Sequence, residues 1–255
     1  MLEFDRIRVS YGKEEVLREL SLSCHDAMIT TIVGKNGCGK STLLRSAVGL
    51  VPPSAGAILL DGLELSHQTG TERAKRIAYL SQGKNVPDIT VERMVLHGRF
   101  PYLSYPRRYR REDYEYATDA MRQMGILDLA QKPLRVLSGG TRQKVYLAMA
   151  LCQQAHVILL DEPTTYLDVG QQLRLCDTLR TLAANGKTVV TVLHDLPVAL
   201  KISHRIAVMD QGRIVAFGSP QEIVDSSILG QVLGVTLRSV STDCGVEYYY
   251  ERSEV

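Results

Sequence analysis

The sequence predicts an α/β protein built around a mainly parallel sheet, and three observations lead to that prediction. Short β-rich runs alternate with helical stretches along most of the chain. Two of the runs, VILLD at 157–161 and VVTVL at 189–193, are almost entirely apolar, which is typical of strands covered by helices on both faces. At 255 residues the chain is long enough to bury such a core.

The elements follow in chain order. Strands are predicted at RIRVS, SLSC, MITTIVG, GAILLDG, RIAYLSQ, VILLD, TVVTVLHD and RIAVMD, with helices over 40–49, 171–185 and 196–201. A stretch without β-rich runs contains ITVERMVLHGR, REDYEYATDAMRQMG and GTRQKVYLAMALCQQ, which predict a helical subdomain inserted into the α/β core. GRIVAFGSP resembles a hairpin, and the last twenty residues predict a small strand-rich extension.

These patterns predict one domain over 1–255. Its core, with a β-subdomain, takes about 1–83 and 154–230, the helical subdomain about 84–153, and the extension 231–255.

Composition excludes several protein classes. A net charge of +2 argues against bulk nucleic-acid binding. Five scattered cysteines without a CxxC fit neither a disulfide framework nor a zinc site, and they favour a reducing cytosol. The start, MLEFDRIRVS, is not a signal peptide, and no apolar run reaches the roughly 20 residues that a membrane span needs. Any membrane partner is therefore expected to be another chain.

A phosphate-binding loop is predicted at GKNGCGKS, residues 34–41, which matches G-x-x-x-x-G-K-[ST] between a strand and a helix. Its glycines let backbone N–H groups face phosphate oxygens. Lys40 can reach the β- and γ-phosphates, Ser41 can ligate Mg²⁺, and Thr42 can donate to the α-phosphate. The predicted ATP-binding residues of the loop are Gly34, Lys35, Asn36, Gly37, Cys38, Gly39, Lys40, Ser41 and Thr42.

Polar side chains end three further strands, where ligand sites of α/β sheets lie. Asp161 suits a Mg²⁺-binding role and Glu162 can polarise the attacking water. Gln82 can coordinate Mg²⁺ without adding charge. His194 can hydrogen-bond the γ-phosphate and hold the water in line.

A second anion cradle is predicted at LSGGTRQK, residues 137–144. Ser138, Gly139 and Gly140 precede a helical run, so free N–H groups and the positive end of a helix dipole can face an anion. One ATP site does not need two such cradles a hundred residues apart.

Taken together, these motifs resemble the nucleotide-binding subunits of ATP-binding cassette (ABC) transporters, over roughly residues 2–230. The resemblance implies a P-loop NTPase fold with a RecA-like core, an antiparallel β-subdomain and a helical subdomain. It also implies that Tyr11 stacks on adenine with Val16 near the base, and that Asp168 ends the D-loop. Thr141 and the TTYLD form of the D-loop depart from the commoner family pattern, but neither removes a phosphate ligand.

The resemblance also explains the second cradle. In this family two nucleotide-binding subunits, here expected to be a homodimer, pack head to tail, and the LSGG segment of one closes over ATP held by the other. The expected cofactors are ATP and Mg²⁺. The expected partners are a polytopic membrane permease and, indirectly, a substrate-binding protein, with no nucleic acid. The expected location is peripheral, on the cytoplasmic face of the inner or plasma membrane.

Less specific segments indicate a subfamily within this family. The segment GRFPYLSYPRRY, the TYLD variant and AMALCQQ look like the subfamily for bacterial uptake of iron–siderophores, haem and cobalamin. One alternative is a soluble ABC ATPase acting on nucleic acid, the ribosome or iron–sulfur assembly, which the basic run RRYRR at 107–111 would favour. Another is a P-loop kinase, but that function leaves LSGGT and His194 unexplained.

The segment after Gln82 and the Cys38 thiol each carry a local expectation. The segment after Gln82 is expected to dock the permease, with Phe100 and Tyr102 as anchors and the basic run meeting lipid headgroups or partner loops. Cys38 lies beside Lys40 at a helix N-terminus, where the pKa of a thiol tends to fall, so its alkylation is expected to inactivate the protein.

Overall fold

The computed structural model describes residues 1–81, 86–165, 167–243 and 245–252. Its strands are β1 (Leu2–Tyr11), β2 (Glu14–Cys24), β3 (Ile29–Gly34), β4 (Ala55–Leu60), β5 (Leu63–Glu64), β6 (Ile77–Leu80), β7 (Val157–Asp161), β8 (Thr188–Val192), β9 (Arg205–Asp210), β10 (Arg213–Gly218), β11 (Val235–Thr242) and β12 (Gly245–Arg252). Its α-helices are α1 (Lys40–Ala47), α2 (Gly70–Arg76), α3 (Val91–Leu96), α4 (Arg111–Gln123), α5 (Gly139–Cys152), α6 (Val169–Ala184), α7 (Leu196–Ile202), α8 (Pro220–Asp225) and α9 (Ile228–Leu233).

A six-stranded sheet forms the centre of the molecule, in the order β10-β9-β3-β8-β7-β6. Five of its strands run parallel, and β10 pairs antiparallel with β9 at one edge. Strands β3, β7 and β8 are buried along their whole length, because helices cover one face of the sheet and α1 with a second sheet covers the other. The parallel α/β core expected from the apolar runs is confirmed.

A second, antiparallel sheet has the order β2-β1-β4-β5. Its inward residues share one apolar cluster with α1 and with one face of the central sheet, including Leu17, Leu43, Leu44 and Leu159. Helix α1 is therefore packed among both sheets, and this packing fixes the direction in which its N-terminus points.

Helices occupy the chain between β6 and β7. Val95 of α3, Met121 of α4 and Leu147 of α5 are buried in a second apolar cluster that also contains Ala78 and Leu80 of β6. Four short 3₁₀ turns join or extend helices, at Leu65–His67, His97–Tyr102, Leu127–Leu129 and Leu134–Val136. None of the helices in the described residues is both long and apolar enough to cross a bilayer.

The C-terminal part differs from the sequence prediction in one detail and agrees in another. GRIVAFGSP does not form a hairpin by itself, because Arg213–Gly218 is one strand that pairs with β9, and Pro220 already begins α8. The reversal lies instead at Gln211 and Gly212, both with positive φ. Strands β11 and β12 form the expected strand-rich end.

Candidate active site

The loop between β3 and α1 can only be built with glycine at two positions. A Cβ atom on Gly34 would lie 2.2 Å from the carbonyl oxygen of Met209, a backbone atom that cannot give way. Gly39 has φ of 108°, and a Cβ there would lie 2.8 Å from the side chain of Leu17. The chain therefore follows a tight path, as the phosphate-loop motif predicts.

Lys40 holds the inside of this loop. Its side chain is buried, and its ammonium donates to the carbonyl oxygens of Gly34 and Lys35, each at 2.8 Å. Helix α1 has no side-chain cap and no acidic residue in its first turn, so backbone N–H groups and a positive dipole end remain at Gly39. This combination of a fixed cation and free N–H groups can bind a polyphosphate.

The metal side of the site joins α1 to β7. The hydroxyl of Ser41 donates to Oδ1 of Asp161 at 2.9 Å, and the hydroxyl of Tyr79 donates to Oδ2 at 3.2 Å. The carboxylate is almost completely buried, with 2% exposure. A hydroxyl beside a carboxylate is a hard oxygen donor set of the kind Mg²⁺ prefers, so Ser41 and Asp161 fit the metal that the phosphate loop implies.

Glu162 and His194 meet at the ends of neighbouring strands. The Nε2 atom of His194 lies 2.5 Å from Oε1 of Glu162, and the hydroxyl of Thr165 donates to Oε2 at 3.3 Å. Glu162 has φ of 50°, a left-handed backbone conformation that is costly for a residue with a Cβ. The strained backbone and two side-chain contacts hold this carboxylate at the carboxyl edge of the sheet.

The base side of the site contains Tyr11 and Val16. Tyr11 ends β1 with its ring 46% exposed, which leaves a face for stacking. Val16 lies in β2, and its side chain is close to Gly39 of the phosphate loop, where it would contact an added Cβ atom. Interaction with the hydroxyl of Tyr79, and to a smaller extent with that of Tyr11, raises the pKa of the Arg45 guanidinium.

The second cradle has its own geometry. Ser138 is the N-cap of α5: its hydroxyl accepts from the backbone N–H of Thr141 at 3.3 Å and pairs with the Thr141 hydroxyl at 2.9 Å. A Cβ on Gly140 would lie 2.2 Å from the side chain of Gln171. Asp168 caps α6 by accepting from the backbone N–H of Gln171 at 2.7 Å.

The structure thus groups the predicted residues into two places. Among the hydrogen bonds of the described ranges, none links Ser138, Gly139 or Gly140 to the phosphate loop, and Asp168 lies with the second cradle. Gln82 lies outside the described residues. Sequence motifs did not indicate Tyr79 or Thr165. Tyr79 alone gave a signal, as the one polar side chain in the strand IAYL.

One expectation is corrected. Burial raises the pKa of the Cys38 thiol and outweighs the opposing charge of Lys40, so this thiol is not activated by its place at the helix N-terminus. The four described cysteines are buried free thiols.

The docking role expected for Tyr102 stays a prediction. Its hydroxyl donates to the carbonyl of Gln153 at 2.9 Å, and its ring lies 3.9 Å from the guanidinium of Arg99.

A groove borders the helices between β6 and β7. Its volume is about 830 Å³ and Phe100, which is 48% exposed, contributes to its wall. The other lining residues are Asp88, Ile89, Thr90, Glu92, Arg93, Leu96, His97, Tyr109, Tyr114 and Gln131.

Comparison with known proteins adds family information. Residues 17–165 match the family model described as ABC transporter. The chain is 40% identical over 236 residues to the ferric enterobactin transport ATP-binding protein FepC of Escherichia coli (strain K12), which covers 92% of this chain and 87% of that protein. It is 38% identical over 244 residues to the petrobactin import ATP-binding protein FpuD of Bacillus anthracis, covering 95% and 89%.

A solved structure is similar over almost the whole chain. It is an inward-facing conformation of a metal-chelate type ABC transporter, with a TM-score of 0.86 and 25% identity, covering 99% of this chain and 97% of that one. This match extends the family likeness from the sequence to the fold.

Proposed function

The chain belongs to the ABC transporter family, and we propose on that premise that it is the ATP-hydrolysing subunit of an importer for iron–siderophore complexes or a related metal chelate. The observation that carries the hydrolytic part is the meeting of Ser41 with Asp161 and of Glu162 with His194 at one edge of the sheet. The cargo class rests on the relatives, whose names refer to ferric enterobactin and petrobactin.

ATP would be bound by complementary groups along the site. Tyr11 and Val16 receive the adenine, and the N–H groups of residues 34–42 with the Lys40 ammonium receive the phosphates. Ser41 and Asp161 would hold Mg²⁺, which would supply positive charge against the phosphates when bound.

Glu162 and His194 act on the attacking water. The Glu162 carboxylate accepts a hydrogen bond from the water, which aligns it and raises its nucleophilicity. The water oxygen bonds to the γ-phosphorus, the bond to the β–γ bridging oxygen breaks, and ADP leaves, while the proton of the water passes by way of Glu162 to the released phosphate. His194 holds the carboxylate through its 2.5 Å contact before ATP binds, and the same N–H can instead donate to the γ-phosphate of bound ATP.

The second cradle requires a second subunit in this proposal. Ser138 is exposed, and the helix that it caps presents its N-terminus without an acidic residue in the first turn. A partner packed head to tail, expected to be an identical chain, would place its own ATP against Ser138, Gly139 and Gly140. Asp168 then lies at the same contact between subunits.

The groove beside Phe100 is proposed to receive a cytoplasmic helix of the permease. Its wall combines apolar side chains with both charge signs, as a specific protein interface requires. The protein would therefore sit peripherally on the cytoplasmic face of the membrane and meet the substrate-binding protein only through the permease.

The nucleic-acid alternative gains little from the basic run at 107–111. Arg110 lies 3.8 Å from Glu112 and Arg111 lies 3.0 Å from Glu115, so two of its cations already have acidic neighbours. These neighbours reduce the positive charge that the run offers to a phosphate backbone.

Uptake of radiolabelled iron–siderophore in cells that lack the chain tests the proposal. Complementation with the native chain should restore ATP-dependent uptake, whereas Glu162→Gln should bind ATP but lower turnover by at least about 100-fold, because the amide keeps the shape and loses the base. Uptake that does not depend on the chain would refute the cargo. Near-normal hydrolysis by the glutamine variant would refute the role of Glu162.

A further inference from the structure

The two oxygens of the Asp161 carboxylate are held by donors from different parts of the fold. Ser41, at the start of α1, donates to Oδ1, and Tyr79, in β6, donates to Oδ2. Because the carboxylate is 2% exposed, water cannot readily replace either donor. A carboxylate with one donor on each oxygen has a fixed rotation about its last side-chain bond.

We propose, building on the ATPase function proposed above, that Tyr79 is a positioning residue for nucleotide-bound Mg²⁺. Tyr79 orients Asp161 so that Oδ1 faces Ser41, where the metal is expected.

A purely structural role for Tyr79 is the competing explanation, since its ring packs against the apolar cluster around α1. Tyr79→Phe separates the two roles because it keeps the ring and removes only the hydroxyl. Tyr102→Phe is the matched control, since it removes a hydroxyl that donates to a backbone carbonyl away from Asp161.

The test measures ATP affinity with Mg²⁺ and, separately, with EDTA. For Tyr79→Phe we expect roughly tenfold weaker binding with Mg²⁺ and less than about a twofold change with EDTA, because the lost hydrogen bond acts on a charged group. Tyr102→Phe should change neither affinity. An equal loss in both conditions, or no loss with Mg²⁺, overturns the positioning role.

Failure of the inference is distinguishable from failure of the proposed function. If the native chain binds no ATP with or without Mg²⁺, the proposed function fails. If it binds Mg-ATP normally and Tyr79→Phe does the same, only the positioning role fails.

Discussion

Helices α1 and α5 both begin at glycine-rich segments, but their N-terminal ends have different surroundings. The N-terminus of α1 is wrapped by its own chain: Lys40 is buried in the loop and Ser41 reaches Asp161. The N-terminus of α5 is capped by the exposed Ser138, which bonds to Thr141. Neither helix has an acidic residue in its first turn, so both keep a positive end.

The difference lies in what each end needs from elsewhere. The α1 end brings a cation, a hydroxyl and a nearby carboxylate, which are enough to hold a polyphosphate with its metal. The α5 end offers a hydroxyl and backbone N–H groups without a buried lysine, which are enough to complete a site but not to create one. The same helix-terminus electrostatics thus serves a primary site at α1 and, in our proposal, a complementary site at α5.

The largest expected effect comes from breaking the α1 side. Lys40→Ala removes the ammonium that bonds to Gly34 and Lys35, and ATP affinity should fall by about 100-fold or more, since several charge-assisted hydrogen bonds are lost. Lys132→Ala, which removes an exposed lysine of the same charge, is the control for the change in net charge. Isothermal titration with ATP measures both, and equal affinities would contradict the role of Lys40.

The next largest effect is expected when the α1 end and the α5 end are altered in different subunits of a dimer. Ser138→Arg should leave ATP binding of a single subunit within about twofold of native, while blocking hydrolysis at the partner's site by bulk and by a buried charge. Mixed dimers of Lys40→Ala and Ser138→Arg subunits concentrate both defects in one site and leave the other whole. Absence of any activity, despite mass-spectrometric proof of mixed dimers, would count against the head-to-tail arrangement.

A smaller change distinguishes capping from ligand contact at α5. Ser138→Ala should lower the free energy of unfolding by about 1 kcal/mol, as loss of an N-cap does, and should also reduce ATPase activity severalfold. Ser219→Ala removes the cap of α8 and should cost similar stability with unchanged ATPase. If both variants lose activity in proportion to stability, Ser138 acts only as a cap.

The smallest effect concerns the thiol inside the α1 loop. Because burial raises the pKa of Cys38, its thiolate fraction at neutral pH is below that of an ordinary thiol and grows only as the pH rises towards the raised pKa. Maleimide labelling of the folded protein should therefore be much slower than that of the unfolded chain, and faster at pH 9 than at pH 7. Rapid inactivation at pH 7 that is absent in Cys38→Ala would contradict this.

The sequence was sufficient for the parallel sheet because its strands are continuous apolar runs, and for the phosphate loop because the motif sits between a strand and a helix. It missed α2, α8 and α9, which have six or seven residues and too few buried positions to show a helical period. Two of them carried a local signal: TGTE at 69–72 and SPQE at 219–222 form capping boxes.

The contacts of the candidate site were harder to foresee than its members. Glu162 and His194 are separated by 32 residues of sequence, and their 2.5 Å approach depends on the order in which β7 and β8 pair. The contact of Tyr79 with Asp161 could not be predicted, because a tyrosine in a strand usually serves only to pack against its neighbours. For Cys38, the local charge of Lys40 predicted a lowered thiol pKa, but burial in the folded protein raises it instead.

The left-handed backbone at Glu162 sets a tension between chemistry and folding. Glycine would adopt φ of 50° at no steric cost, and asparagine at a small one, so either would relieve the strain that glutamate stores there. A chain that only had to bind ATP would gain stability by giving up this residue, and drift would favour the loss. In our proposal, the strained glutamate at this position therefore serves turnover rather than binding, at a cost in stability.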